Sequence, residues 1–419
     1  MNILIKSAVI IDPNSDFHKK TKNILIENGI IKKISEINHK ADKIIEGANL
    51  KVSTGWFDLR TSINDPGYEF KEDIYSVAKA AAAGGFTEIA SLPNTKPVAQ
   101  SKDLISYIKS KAETTIINIH PIAALTLDNK GEEMTEMIDL HHAGAIAFSD
   151  GNKPIWHSDV MLKSLQYIQN FNGLVMDRPT DNYLTLGGQM NEGKTSTLLG
   201  FKGIPKLAEE LIVERDLRIL EYTGGRLHFS LISSPRSLDL IREAKKKGMK
   251  VSCDIAFYHL VLDDSLLTGF DTNLKVNPPL RTKEDIEYFW KAIADDTIDA
   301  IVTDHRPQDE ESKKLEFDLA EFGMIGLETA FAALNTYNKR VKIEKIIAKI
   351  TEGPRRILNL DPPKIEEGGV ANLTVFDTEL EWIFSKSDIK SKSKNTPFAE
   401  KKFKGKVLGV FNKHKHQFN

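Results

Sequence analysis

The sequence predicts an α/β protein, a (β/α)8 barrel joined to a small β-sandwich that both ends of the chain build. Three observations carry this expectation. Across residues 53–356, apolar β-rich runs alternate with helical-period segments eight times, the order of a closed parallel barrel rather than an open sheet. Residues 1–52 and 357–419 instead carry β-branched runs broken by turns, without helical periodicity. Polar residues follow most of the strand candidates, and barrels collect their chemistry at those C-terminal strand ends.

The elements follow in order. The N-terminal part reads as strands in "ILIKSAVIID", "KNILIENGIIKKISE" and "ADKIIEGANLKVS", with Asn28-Gly29 as a hairpin turn. Barrel strands are expected in "GWFDL", "TEIASLPN", "TIINIHPIAAL", "AIAFSD", "GLVMDR", "RLHFSLIS", "MKVSCDIA" and "IDAIVTD". Helices are expected over 72–83, 101–112, 131–142, 158–170, 205–219, 236–247, 284–293 and 324–337. Gly84-Gly85 is placed to end the first helix; with no strand leading in and no helix leaving, it is not a phosphate loop. The C-terminal part resumes strands in "IEEGGVANLTVFD" and "FKGKVLGVFNK". The basic stretch "SKSDIKSKSKNTPFAEKKFKGK" reads as a solvated loop and edge strand, and the terminal "HKHQFN" as a frayed tail. No repeat of solenoid type occurs.

Composition narrows the function classes. The 419 residues are 41% apolar, enough for a large core, and 28% charged, as in ordinary soluble proteins. A net charge of −2 gives no electrostatic reason to expect nucleic acid or an anionic membrane as partner. A single cysteine, Cys253, rules out an internal disulfide and suits a reducing, cytoplasmic setting; it reads as a small core residue. No apolar run approaches the ~20 residues of a membrane span, and "MNILIKSAVIIDPNS" lacks the layout of a signal peptide.

The strand ends, in order, present Asp58-x-Arg60-x-Ser62, Pro93-Asn94-Thr95, Ser149-Asp150, Arg178, His228-x-x-Leu231, Asp254 with His259, and Asp304-His305. So many polar residues at consecutive strand ends point to a site at the barrel mouth. His228 reads as a buried, hydrogen-bonded histidine, His259 as a packing residue, and His305 as a partner of Asp304 or of the core.

At this point the chain resembles the dihydroorotases of the amidohydrolase superfamily over nearly its whole length. "DPGYEFKEDI", "AAAAGGFTEIASLPNTKPV", "GAIAFSDGNKPI", "KVNPPLR", "DAIVTDHRP", "GMIGLETA", "IEEGGVANLTVFD" and "NTPF" carry the resemblance, "LPNTKPV" and "VNPPLR" being the most specific. It implies a zinc-bearing barrel coupled to a small β-sandwich, and the interconversion of carbamoyl aspartate and dihydroorotate. Carried over position by position, the first metal-binding histidine pair falls on Arg60 and Ser62, and the substrate-carboxylate arginine on Asn64. The bridging acid falls on Asp150, the histidine after the fifth strand on Arg178, and the histidine after the sixth on Leu231. The final aspartate, ligand and general base, is Asp304; a substrate-binding histidine is replaced by Gln308. Asn94 and Asn277 match substrate-contacting asparagines.

All four histidine positions are therefore replaced. Arginine cannot deprotonate to become a ligand, leucine has no donor, and serine is a poor neutral one. The expectation is a vestigial site of Arg60, Ser62, Asp150, Arg178, Leu231 and Asp304 with no metal and no cofactor. A guanidinium suits a carboxylate bidentately, so Arg60 and Arg178 are expected to pair with Asp150 and Asp304 where the metals would stand. The function implied is a dihydroorotase homologue without hydrolase activity, a homo-oligomer and structural companion of aspartate carbamoyltransferase. The alternatives are an active cyclic-amide hydrolase with a reduced metal site and a non-catalytic small-molecule binder.

Overall fold

The computed structural model describes all 419 residues. Eight short parallel strands form the barrel: Trp56–Thr61, Phe86–Ser91, Asn118–Ala123, Ala147–Phe148, Val175–Asp177, Leu227–Phe229, Val251–Ala256 and Ala300–Val302. Each pairs with the next. The ring closes where Thr61 bridges His305 in parallel and the Ser62 amide donates to the His305 carbonyl at 2.9 Å. The first two strands are buried along their whole length, as expected of parallel strands covered by helices outside and by packed side chains within.

All eight expected helices exist, but two are shorter. The helix expected over 131–142 forms only at Met137–Ala143, and the one expected over 324–337 only at Ala330–Tyr337. In the first case Thr126 pairs with Met134; in the second Met324 pairs with His305. Pairing partners distant in the chain override helical period there.

Both chain ends contribute to one hydrogen-bonded sheet. Its main path runs Lys415–Phe418, Lys401–Asn412, Asn372–Phe384, Leu50–Thr54, Asn2–Ile11, Thr21–Glu27 and Ile30–Ser35, with Lys43–Ile45 pairing beside Asn2–Ile11. Period-2 isoleucines give this sheet an apolar core of its own, from Ile3, Ile5, Ile10, Ile24 and Ile26 to Leu373, Val375 and Phe411. Asn28 and Gly29 form the expected turn, both at positive φ. Two expectations fail here. "HKHQFN" is not frayed, because Lys415–Phe418 pairs antiparallel with Lys401–Asn412. That pairing also turns Lys401–Asn412 into an interior strand, not an edge.

Trp56 fastens barrel to sheet. Its ring packs on Phe86 of the barrel, Phe331 of a barrel helix and Phe376 of the sheet, centroids 5.9, 4.9 and 5.4 Å away. Gly85 follows the first helix at φ +96°, where a Cβ would stand 2.4 Å from the Trp56 ring, so the glycine is required twice over.

Candidate functional site at the barrel mouth

The surviving aspartate of the 58–62 frame is structural. Asp58 is wholly buried and accepts from the Thr303 amide at 2.7 Å and the Thr303 hydroxyl at 2.8 Å, tying the first strand to the eighth. Burial pushes its carboxyl up to about 6 against these bonds.

Two residues on, Arg60 points into the mouth and is 1% exposed. Its Nε donates to Asp304 Oδ1 at 2.9 Å, and its Nη2 donates to the Gly151 carbonyl and Asn152 Oδ1, both at 3.0 Å. Asp304 sits just past the eighth strand with φ +44°, a left-handed conformation aspartate tolerates. Its second oxygen accepts from the Tyr258 hydroxyl at 2.8 Å. Burial and the Asp304 charge push that phenol well above its usual range, so it stays a neutral donor. The expected Arg60–Asp304 pair is therefore present.

The second expected pair is not. Arg178 donates from Nη1 to the Asn152 carbonyl at 2.5 Å and reaches no carboxylate. Its Nε and Nη2 are enclosed without any partner. Asp150 is instead held by the amide and hydroxyl of Thr126, at 2.9 and 2.5 Å. The reason is local: Thr126 begins the turn after the third strand, beside Asp150, and satisfies both its oxygens first. With no cation at hand, burial pushes the Asp150 carboxyl up to about 6.

The other positions fall as follows. Ser62 is buried, with its amide in the closing contact to His305. Asn64 is buried in the loop beyond it, its Nδ2 without a partner. Leu231 is buried at φ +59°, its amide on Asp254 Oδ1 at 2.6 Å. His228 is buried between Asp254 and Ser252, 2.9 Å from each. Asn94 donates to the Asp150 carbonyl at 3.3 Å and accepts from the Asn152 amide at 3.0 Å, so its amide group braces the mouth. Asn277 stands half-buried before Pro278. Gln308 bridges Lys71 at 2.7 Å and the Phe322 carbonyl at 2.9 Å. His305 turns away from Asp304: its Nε2 lies 3.3 Å from Glu72 and its Nδ1 accepts from the Gly326 amide. His259 is buried against the Pro279 carbonyl, and Cys253 is buried in the core.

Part of the basic stretch is also not solvated. Ser391, Ser393, Asn395 and Thr396 are buried. Ser391 Oγ and the Lys392 amide donate to Glu72, and Asn395 accepts from the Gln308 amide while donating to the carbonyls of Arg306 and Gly323. This strap crosses from the sheet to the loops of the first and eighth strands. Sequence reasoning also missed Tyr258, Asn152, Thr126 and Arg306. Tyr258 and Arg306 stand just past strand ends, which was the available signal.

Zinc is what the resemblance implies, and the residues present do not fit it. A tetrahedral site takes four ligands, or three protein ligands and a water, at about 2.0–2.3 Å. No group of three or more His, Cys, Asp or Glu side chains in the chain is arranged to hold a metal ion. The two carboxylates of the mouth have their oxygens engaged by Arg60, Tyr258 and Thr126, and a second guanidinium, of Arg178, lies close to Arg60 and Asp304.

The family comparisons agree with the fold. Residues 51–237 match the model described as "Dihydro-orotase-like", and residues 199–413 the model of the "Amidohydrolase family". A protein named dihydroorotase from Pelotomaculum thermopropionicum is 38% identical over 408 residues, 97% of this chain and 96% of its own length. One so named from Endomicrobium trichonymphae is 40% identical over 414 residues, with the same coverage. Among solved structures, L-hydantoinase (dihydropyrimidinase) from Arthrobacter aurescens superposes with a TM-score of 0.86 at 20% identity, covering 99% of this chain and 95% of that one. D-hydantoinase from a Thermus species gives 0.80 at 21% identity, covering 100% and 96%. These last two bear on the fold alone. No helix of the chain is long and apolar enough to cross a membrane. The barrel, the sheet from both ends and these matches make the chain a member of the dihydroorotase family within the amidohydrolases.

Proposed function

We propose that this dihydroorotase-family protein of pyrimidine biosynthesis does not hydrolyse cyclic amides and serves as a structural companion of aspartate carbamoyltransferase. One observation carries the first half: the Arg60 guanidinium occupies Asp304, the position of ligand and general base in the family. A hydrolytic metal polarises the amide carbonyl and lowers the pKa of its water. Losing a single electrostatic stabiliser costs ~10²–10³ in rate, and all four histidine positions of the metal system are replaced here. Both oxygens of that carboxylate are already engaged, one by the Arg60 guanidinium and one by the Tyr258 hydroxyl. The companion role rests on the resemblance to dihydroorotase homologues with replaced metal ligands.

The second reading is an active dihydroorotase with a reduced metal site, favoured by the relatives' names and 38–40% identity. Metal analysis of the purified chain, together with a carbamoyl-aspartate cyclisation assay, separates the two. Less than 0.1 equivalent of zinc and no turnover above the uncatalysed rate is the expected result; stoichiometric zinc with turnover defeats the proposal. Pull-down of the tagged chain from its native cell is expected to bring aspartate carbamoyltransferase with it in stoichiometric amount.

A further inference from the structure

The mouth holds more guanidinium groups than ion pairs. Those of Arg60, Arg178 and Arg306 are close enough to repel one another, and Asp304 is the one carboxylate in ion-pair contact with any of them, while Asp177 acts on Arg178 and Glu321 on Arg306 without bonding to them. Asp150 is bonded to Thr126 instead. Arg178 is 5% exposed, and its single hydrogen bond uses Nη1. The Nε and Nη2 that remain without partners form the side edge of the guanidinium, two parallel N–H donors spaced for the two oxygens of one carboxylate. Arg306 is half-buried; its backbone is pinned by Met324 and Asn395, while its guanidinium takes part in no hydrogen bond or ion pair. Asn64 Nδ2 adds another enclosed donor on the loop after the first strand. Leaving a buried charge unpaired is among the costliest arrangements a fold can hold, worth several kcal/mol.

We infer that the mouth binds a small carboxylate anion between the free edge of Arg178 and the guanidinium of Arg306, as a fixed counter-ion standing where relatives would hold metal. The ion accepts two hydrogen bonds from Arg178 and charge from Arg306, and no covalent step is involved. Because the Arg178 edge is enclosed, the ion enters with a shift of the mouth side chains, Arg306 being the outermost of the three cations. The inference goes beyond the companion role and needs no partner; it rests on the metal-free reading of the mouth.

Thermal unfolding of the full chain in succinate, phosphate and chloride at matched ionic strength tests it. Succinate is expected to raise the midpoint saturably, by about 2–4 °C over chloride. Arg306→Met should weaken that response at least about tenfold and Arg178→Met should abolish it. Arg178→Met should also melt no lower than the parent in chloride, since it removes an unpaired charge. Should Arg178→Met fold poorly, Arg306→Met, at a half-buried position, still decides. A parent no more stable in succinate than in chloride overturns the inference, as does an unaltered response in Arg306→Met. Stabilisation by phosphate but not by succinate overturns the carboxylate assignment. Stoichiometric zinc in the purified chain would instead defeat the metal-free reading, so the two failures are distinguishable.

Discussion

The Arg60 guanidinium and the Asp304 carboxylate meet at 2.9 Å, with side chains 1% and 6% exposed. They come from opposite ends of the barrel sequence and close its ring electrostatically, next to the Ser62–His305 backbone bond that closes it in hydrogen bonds. Removing one member of such a pair strands the other. Arg60→Met is expected to destabilise the chain by about 3–5 kcal/mol. Asp304→Asn added to it should recover most of that loss, because an amide can still accept from Tyr258. A urea-denaturation double-mutant cycle reads both numbers.

Restoring the four imidazoles should restore metal. Arg60→His, Ser62→His, Arg178→His and Leu231→His together would complete a donor set with Asp150 and Asp304. The Leu231 position favours this, since histidine tolerates φ +59° better than leucine. Elemental analysis after dialysis is expected to find at least one zinc per combined variant and none in the parent. Turnover should remain low, because Asn64 and Gln308 replace the arginine and histidine that the resemblance puts in the substrate clamp.

Glu88 should set the acid limb of stability. It accepts from Arg355 at 2.6 Å, faces His120 at 2.8 Å and takes the Asn372 amide at 3.1 Å, linking the second barrel strand to the helix Glu352–Leu358 and the sheet. Burial alone would raise its carboxyl, but His120 and Arg355 outweigh this and hold it down at about 2. A depressed carboxylate stabilises the fold fully above its unfolded value near 4.5, and that contribution fades as pH falls toward about 2. Urea titrations from pH 3 to 7 should show Glu88→Gln losing up to about 3 kcal/mol at pH 7 and progressively less at lower pH.

The strap over the mouth depends on Glu72. Burial would raise this carboxyl, yet bonds involving His305, Ser391 and Ser76 hold it below the usual range. Glu72→Ala should release Ser391–Thr396, freeing the backbone at the already exposed Lys392 and Lys394 to enter the trypsin site. Limited proteolysis read by mass spectrometry is expected to show at least tenfold faster cleavage there; equal rates would mean that other contacts hold the strap.

Much of this was legible in advance. Alternation of β-branched runs with helical period is a local property, and it located all eight barrel strands, the Asn28-Gly29 hairpin and the sheet strands except the last, Lys415–Phe418. Side-chain chemistry is equally local: arginine, serine and leucine offer no imidazole wherever the chain carries them. Which acceptor each arginine finds is different in kind. It depends on distances between residues as far apart as Arg60 and Asp304, and on competitors such as Thr126, which takes Asp150 before Arg178 can. The same holds for the strap, whose lysine-rich letters suggest solvent until Glu72 and Gln308 draw its serines and Asn395 inward. Periodicity and donor chemistry belong to single residues and their neighbours in sequence, whereas pairing in a buried site is a competition among groups that only the closed barrel brings within bonding distance.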